Sequence, residues 1–475
     1  MAGFARRSAL ISVTRLLNQG LMLLSPVVLV RLLTVEEFGR YREFLLYAGL
    51  LTTICAFGIN NSLLYFIPAR PESVRQMLRQ SVVLTFICSA LVVGVAVIAN
   101  IITHGAVLGN MAFAVAVYVM LFVNFDFWEF YWLAGKQTLP VLAYTSGRLV
   151  ARMVVVIVAA SISSDVQIIV WSLIALESIR FIGSFVAWQA RKGVGSEASF
   201  WREQIKYCLP VGIGLVLVTL NKSLGNLFVA KAMGAVALAH YSIGTQVQPI
   251  ITVLRNSLSD AILPEMAAVS QPQDALRLWH RSTVMSMLLL LPAAIILFEF
   301  AQPLVVTLFS PEYAPAIPIF QLYLLVLLRE VFDFGVALRA VNRNTSIVYS
   351  NLIAIVLNIG LLAIAVPYMG LIGAAAAFVV SRYLEGIYLG WRTARAYGAG
   401  IRSIANWSDL TRVAIAGTLA SIVFYGSFWT NYFGLFGVCL GACAYMIVFV
   451  LLLWLLRVPE ITQLLQRVEG KWIAA

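Results

Sequence analysis

Residues 124–137 read NFDFWEFYWLAGKQ and place two carboxylates, Asp126 and Glu129, among six aromatic residues. This segment lies in a long apolar run, and the whole chain is 61% hydrophobic and only 11% charged. Soluble domains usually carry about 25% charged residues. A mean hydropathy of +0.92 therefore excludes a soluble fold of this size. It indicates a polytopic membrane protein, in which both carboxylates need partners.

Apolar runs long enough to cross about 30 Å of hydrocarbon recur along the chain. They lie at 9–33, 43–67, 81–102, 108–134, 139–163, 167–190, 207–231, 236–262, 282–303, 316–338, 345–366, 370–391, 412–429 and 434–456. The sequence therefore predicts an all-α fold with 14 transmembrane helices. The first run carries Arg15, Asn18 and Gln19 and no small-residue cleavage site, so we expect a retained span and not a signal peptide.

The basic residues between these runs favour one orientation. With a cytoplasmic N-terminus, about 21 arginines and lysines fall in cytoplasmic segments and about 3 on the other side. We therefore expect both termini in the cytoplasm and a multi-pass protein of the cytoplasmic membrane. The C-terminal EITQLLQRVEGKW (460–472) has the apolar spacing of a helix lying on the membrane surface.

Several classes of function are not expected from this composition. The three histidines are far apart and the five cysteines fall inside apolar runs, so the sequence predicts no metal centre, disulfide framework or cofactor. The net charge of +12 belongs mainly to the short loops and does not indicate a nucleic-acid partner. No GxxxxGK[ST] loop and no long extramembrane loop is present, so we do not expect an enzyme.

Two short matches indicate an internal repeat. VRLLTVEEFGRYREF (30–44) resembles AKAMGAVALAHYSIG (230–244), and NNSLLYFIP (60–68) resembles RNSLSDAILP (255–264). In the first pair, a basic residue precedes a tyrosine by the same distance in both copies. We therefore expect two pseudo-equivalent six-helix bundles around a central cavity, with two extra C-terminal helices.

The repeat also gives expected domain boundaries. Residues 1–190 would form the N-terminal bundle and 191–206 a cytoplasmic linker. Residues 207–397 would form the C-terminal bundle, and 398–475 the last two spans with the interfacial segment.

Polar residues inside apolar helices are expensive against lipid and mark faces turned to protein or water. In the first, second, seventh and eighth runs they are Arg15, Asn18, Gln19, Asn60, Asn61, Lys222, Asn226, Thr245, Gln248 and Arg255. These runs are equivalent in the two halves, so we expect a substrate-binding cavity lined by these residues. Interhelical hydrogen bonding is the alternative for any single Asn or Thr.

Three of these residues are the candidates for an anionic group. Arg15, Lys222 and Arg255 have no acidic residue three or four positions away on their own helix. By contrast, Asp126 and Glu129 have simple partners in Arg148 and Arg152. A turn at 136 reverses the chain, and a rise of 1.5 Å per residue brings the two pairs to similar depth. This cluster is either structural or a site that binds a proton, an ion or an anion.

Three stretches carry a resemblance to a known family: RLLTVEEFGRYREF (31–44), FSPEYAPAIPIFQ (309–321) and NLIAIVLNIGLLAIAVPYMGLIGAAAAF (351–378). With them the chain resembles the polysaccharide transporters of the multidrug/oligosaccharidyl-lipid/polysaccharide exporter superfamily, the O-antigen type of lipid-linked oligosaccharide flippase. Thr34 departs from the glycine that this family often has. The resemblance implies two six-helix bundles and alternating access. It also implies a polyprenyl-pyrophosphate-linked oligosaccharide as substrate, moved to the outer leaflet for O-antigen, capsule or exopolysaccharide synthesis.

In that case Arg15, Lys222 and Arg255 would pair with the pyrophosphate. A polysaccharide polymerase and chain-length proteins would be partners, and coupling to protons or sodium stays open. One alternative is an ion-coupled multidrug-type exporter that uses Asp126 and Glu129 for coupling. Another is a peptidoglycan lipid-precursor flippase. A membrane-embedded glycosyltransferase or polymerase would need an extramembrane loop with acid–base residues.

Overall fold

The structure, a computed structural model, describes residues 20–21, 23–105, 107–190, 200–269, 271–400, 402–423 and 426–459. These residues form helices joined by turns, and no strand occurs among them. The predicted all-α fold is confirmed. Within the described residues nine helices are long and apolar enough to cross a membrane, and the count of 14 spans stays a prediction. By internal contacts the chain divides into two compact units, Met1–Ser242 and Ile243–Ala475.

The first unit contains eight helices and most of a ninth. They are α1 (Leu23–Leu32), α2 (Val35–Ala56), α3 (Ile59–Ala69), α4 (Val74–Ile102), α5 (Ala112–Val123), α6 (Trp128–Ala134), α7 (Thr138–Ile162), α8 (Val166–Gln189) and α9 (Trp201–Gly244). Helix α2 packs against α4, α5 and α8, while α3 packs against α4 and α6. Helix α7 lies between α6 and α8. This packing places α6, α7 and α8 side by side.

The second unit contains the remaining helices. They are α10 (Val247–Ala268), α11 (Pro272–Glu299), α12 (Ala301–Phe309), α13 (Ile317–Glu330), α14 (Phe334–Ala340), α15 (Asn344–Tyr397), α16 (Trp407–Val423) and α17 (Gly426–Leu455). Helix α10 packs against α11, α13 and α14. Helices α13 and α14 pack against α15, and α16 and α17 pack against α11 and each other.

Helix α2 shows how the sequence specifies one element. Its N-cap Thr34 accepts a hydrogen bond from the Glu37 backbone N–H at 3.2 Å, as in the T-x-x-E capping box. The Glu37 carboxylate reaches the first N–H of α8, on Val166, at 2.9 Å. Four aromatic residues three positions apart face the core and are buried: Phe38, Tyr41, Phe44 and Tyr47. Thr34 therefore fixes where α2 begins, and Glu37 joins this end of α2 to the start of α8.

The outer surface of α4 is typical of a helix that faces lipid. Large apolar side chains at helical spacing are strongly exposed there: Ile87, Leu91, Val95, Ile98 and Ile102. An exposed aliphatic stripe of this length is unfavourable in water and suits hydrocarbon. The chain is therefore a multi-pass membrane protein.

Several long helices are broken, three of them within an apolar run. Phe57 and Gly58, both left-handed, separate α2 from α3. Residues 124–127 separate α5 from α6, and residues 331–333 separate α13 from α14. Helices α9 and α15 each join two helices across a glycine in a non-helical conformation, Gly234 and Gly370. The first three breaks lie inside apolar runs, so they free backbone carbonyls within the membrane, and polar side chains have to satisfy them.

Candidate functional site

A cluster of four charged side chains lies in the first unit where α5 ends. Arg148 of α7 donates to Asp126 at 2.5 Å, and its second nitrogen lies 3.3 Å from Glu177 of α8. Arg180, one turn beyond Glu177, pairs with it at 2.5 Å and lies 3.9 Å from Asp126. Two carboxylates thus face two guanidinium groups, and the cluster is neutral. The Asp126 carboxylate of the aromatic segment is neutralised here by Arg148 and Arg180.

Arg180 also closes the broken end of α5. Its guanidinium donates to the carbonyls of Leu121 at 2.5 Å and Phe122 at 3.0 Å, and reaches the carbonyls of residues 124 and 125 at 3.3 and 3.4 Å. These carbonyls have lost their helical partners because the helix stops at Val123. A rigid fork with five donors can serve several of them at once. Arg180 therefore has a structural role in addition to its ion pair.

Arg152 and Glu129, the other two members of the predicted cluster, are not among these four charged side chains. Arg152 is next to the phenolic groups of Tyr41 and Tyr118. Glu129 lies on α6 with a half-buried side chain. Ion coupling by Asp126, Glu129, Arg148 or Arg152 stays a prediction.

A second charge cluster lies in the second unit, where α13 ends. Glu330, the last residue of α13, receives three arginines: Arg382 at 2.6 Å, Arg255 at 3.2 Å and Arg329 at 3.3 Å. Glu385 of α15 pairs with Arg382 and lies 3.8 Å from Arg329. The direct ion pairs thus involve three guanidinium groups and two carboxylates.

Arg255 is the most exposed of these arginines. Its side chain keeps 35% of its surface exposed, against 15% for Arg382 and 7% for Arg329. It lines a small pocket of mixed character, whose other lining residues are Ser259, Ile262, Trp279, Ser282, Thr283, Ser286, Leu290, Glu330, Val331, Asp333 and Val336. The space in this pocket is about 10 Å³, room for about one water molecule. A sugar ring does not fit there, so any large ligand would meet Arg255 from outside the pocket.

The rest of the predicted cavity residues are spread over both units. In the first unit, Asn60 is buried and donates to the backbone carbonyl of Asp126 at 3.1 Å, whereas Lys222 is exposed on α9. The remaining residues described there are half-buried: Asn61 and Asn226. In the second unit, Thr245 is buried and Gln248 is half-buried. Residues outside the described part of the chain are Arg15, Asn18, Gln19 and the predicted interfacial segment, 460–472.

The sequence analysis looked for acidic partners of Arg255 along its own helix and missed its ion pair with Glu330 on α13. A repeated motif could have found part of this arrangement. LESI at 176–179 in α8 matches LEGI at 384–387 in α15, and its glutamates, Glu177 and Glu385, are both buried and ion-paired. Among the described residues, no group of three or more His, Cys, Asp or Glu could hold a metal ion.

Comparison with solved structures shows the fold. The lipid II flippase MurJ in an inward closed conformation aligns with a TM-score of 0.73 at 13% identity, over 94% of this chain and 99% of that one. An inward-facing multidrug resistance MATE transporter of the MOP superfamily aligns with a TM-score of 0.56 at 14% identity, over 81% and 98%. A mutant of the Vibrio cholerae MATE transporter VcmN gives 0.53 at 14% identity, over 84% and 98%. These alignments show that the chain shares its fold with MurJ and MATE transporters.

Comparison by sequence gives a family. No curated protein matches the chain significantly. The family model described as "Polysaccharide biosynthesis protein" matches residues 28–318, from within α1 into α13. This match covers more than half of the 475 residues. The chain therefore belongs to the polysaccharide biosynthesis protein family and has the fold of MurJ and MATE transporters.

Proposed function

We propose that this protein is a flippase for polyprenyl-pyrophosphate-linked oligosaccharides. It would move them from the inner to the outer leaflet of the cytoplasmic membrane by alternating access, in O-antigen, capsule or exopolysaccharide synthesis. The observation that carries the proposal is the partly exposed Arg255 side chain on an apolar helix, in a chain of a polysaccharide biosynthesis family with the fold of MurJ and MATE transporters. A pyrophosphate cannot enter hydrocarbon without a cation to compensate its charge.

Lys222, in the first unit, also supports a cargo with an anionic headgroup. It lies within α9, about 12 residues before the kink at Gly234 and therefore roughly 18 Å from it. Its side chain is exposed at that depth, and an exposed ammonium facing lipid would be costly. We infer that it faces water or a charged ligand. Lys222 and Arg255 would then each meet the anionic headgroup, while the prenyl chain remains in hydrocarbon.

The same fold can serve an ion-coupled multidrug-type exporter, but the charges favour an anionic cargo. Cationic drugs would be repelled by Arg255 and Lys222, and the carboxylates of both clusters are already engaged by arginines. A peptidoglycan lipid precursor shares the pyrophosphate and the prenyl chain, so it differs from the proposed substrate only in its sugars and the peptide attached to them. An assay that identifies the cargo therefore has to compare lipids that differ in the group attached to the pyrophosphate.

The experiment is a flipping assay in proteoliposomes. The protein is reconstituted with a fluorescent polyprenyl-pyrophosphate-linked oligosaccharide, and an impermeant glycosidase reports the outer-leaflet fraction over time. We expect the wild type to accelerate exposure and Arg255→Ala or Lys222→Ala to slow it by about tenfold or more, the effect of losing one charged contact. Arg277→Ala is the matched control, because Arg277 is 77% exposed and pairs only within its own helix turn.

Three results would go against the proposal. Flipping of the peptidoglycan precursor in preference to the oligosaccharide would favour the peptidoglycan role. Efflux of a cationic dye under a proton or sodium gradient, without lipid flipping, would favour the exporter. Wild-type flipping by both Arg255→Ala and Lys222→Ala would remove the assigned headgroup contacts.

A further inference from the structure

Glu330 divides its two carboxylate oxygens between different arginines. Oε1 receives Arg382 at 2.6 Å and Arg329 at 3.3 Å. Oε2 receives Arg255 at 3.2 Å. The first two arginines are nearly buried, whereas Arg255 reaches the surface of the unit. One oxygen thus anchors the interior of the cluster, and the other holds the arginine that a ligand can reach.

This division makes the contact to Arg255 easy to exchange. Breaking a buried ion pair is normally costly because a carboxylate is left without a partner. If Arg255 turns away, Glu330 still has two guanidinium groups within 3.3 Å, so its charge stays compensated. Arg255 would likewise stay compensated if an incoming anion took the place of Oε2. Both Glu330 and Arg255 would therefore keep an oppositely charged partner if the anion replaced their ion pair.

We propose that Glu330 is an internal competitor for Arg255, a positioning residue that occupies this arginine between cargoes and gives it up to the cargo's pyrophosphate. The inference rests on the proposed function, because it takes the pyrophosphate headgroup as the group that Arg255 meets. Glu330 neutralises Arg255 while the site is empty, when a lone guanidinium inside the membrane would be unfavourable. When the cargo leaves, Oε2 recaptures Arg255 and favours release.

Competition makes a prediction that a purely structural role does not. Removing the competitor strengthens binding and slows release, so apparent affinity and turnover move in opposite directions. Loss of an ion pair with only a structural role would lower both the apparent affinity and the turnover. Glu385 provides a matched control, because it belongs to the same cluster and pairs with Arg382 and Arg329. Glu385 also accepts a hydrogen bond from the Ser350 hydroxyl at 3.2 Å, and its ion pairs within the described residues are with Arg382 and Arg329, not with Arg255.

The test compares Glu330→Gln with Glu385→Gln in lipid nanodiscs and proteoliposomes. Each change removes one negative charge from the same cluster and keeps the shape of the side chain. Affinity is measured with farnesyl pyrophosphate as the probe, and turnover is measured in the flipping assay at saturating cargo. We expect Glu330→Gln to bind the probe about tenfold more tightly and to turn over several-fold more slowly. Glu385→Gln should change affinity by less than about twofold.

The Arg255→Ala background shows whether the effect passes through Arg255. There, adding Glu330→Gln should change affinity no further, because the competed group is gone. If Glu330→Gln does not fold, Glu330→Asp decides: it keeps the charge, withdraws Oε2 from Arg255 by about one methylene, about 1.5 Å, and should tighten binding by a smaller factor.

Different results would contradict the competitor role and the proposed function. Weaker binding in the folded Glu330 variant, equal tightening by Glu385→Gln, or tightening that persists without Arg255 would each overturn the competitor role. Loss of pyrophosphate specificity, or no effect of Arg255→Ala on binding and flipping, would instead overturn the proposed function.

Discussion

Asp126 and Asp333 occupy matching positions in the two units. Each lies between two phenylalanines, in the sequence FDF at 125–127 and at 332–334. Each follows a helix that stops inside an apolar run, α5 in one unit and α13 in the other. Each also has its backbone carbonyl held at 3.1 Å by a side-chain N–H, from Asn60 in the first case and Trp279 in the second.

The two side chains have different tasks, so the same substitution should have different effects. Asp126→Asn removes a charge that faces Arg148 and Arg180, and we expect a loss of about 1–3 kcal/mol. Asp333 caps α14 through the Val336 N–H at 3.1 Å and accepts from Ser259. Asparagine caps helices nearly as well, so Asp333→Asn should cost less than about 1 kcal/mol. Thermal unfolding in detergent measures both, and equal midpoints would contradict this assignment.

Arg180 should not be replaceable by lysine. A single ammonium cannot serve Glu177 together with the carbonyls of Leu121 and Phe122. We expect Arg180→Lys to lower the free energy of unfolding by about 2 kcal/mol. Arg277→Lys is the control and should change it by less than about 0.5 kcal/mol, because its ion pair is exposed. Equal stability of the two variants would show that the carbonyl contacts of Arg180 are unimportant.

Two glycines of α2 form a matched pair for helix packing. A Cβ on Gly39 would overlap the backbone carbonyl of Ala235, whereas a Cβ on Gly49 would meet nothing within 4 Å. We expect Gly39→Ala to push α2 away from α9 and to cost about 1–3 kcal/mol. Gly49→Ala should be neutral or stabilising by up to about 1 kcal/mol, because alanine favours the helix. The thermal midpoints of both variants test this, and a harmless Gly39→Ala would rule out the close contact.

The orientation of the chain is open to a direct labelling test. We expect the turn around Glu72, flanked by Arg70 and Arg75, to be cytoplasmic and the turn around His104 to lie outside. Both side chains are exposed. In a cysteine-free background, an impermeant maleimide should label His104→Cys in intact cells and label Glu72→Cys only after lysis. The opposite pattern would invert the predicted topology.

Much of the fold could be predicted from apolar run lengths alone. The described part of each predicted run is mainly helical, because a chain in lipid has to satisfy its backbone internally. The breaks within runs could not be predicted. Phe57 and Phe125 adopt positive φ without being glycine, and contacts from distant segments, such as Asn60 to Asp126, hold these conformations. The conformational propensities of neighbouring residues do not depend on such long-range contacts and therefore cannot predict them.

Less of the candidate site could be predicted. Comparing depths along two neighbouring spans placed Arg148 opposite Asp126, where the structure has it. The same reasoning could not find Glu177, which reaches Arg148 only because α7 packs on α8. A search for acidic partners along one helix also could not reach Glu330, which lies 75 positions after Arg255. Ion pairs between non-adjacent helices require the packing to be known first.

At Gly234 and at Gly370, one glycine in a non-helical conformation connects two helices without a loop. The φ and ψ values, 82° and −172° at the first and 57° and −131° at the second, belong to regions that side chains with a Cβ rarely enter. An epitope tag or reporter inserted at either glycine would have to unwind two helices to make room. In a library of all point variants, these two codons should therefore be among the least permissive in the gene.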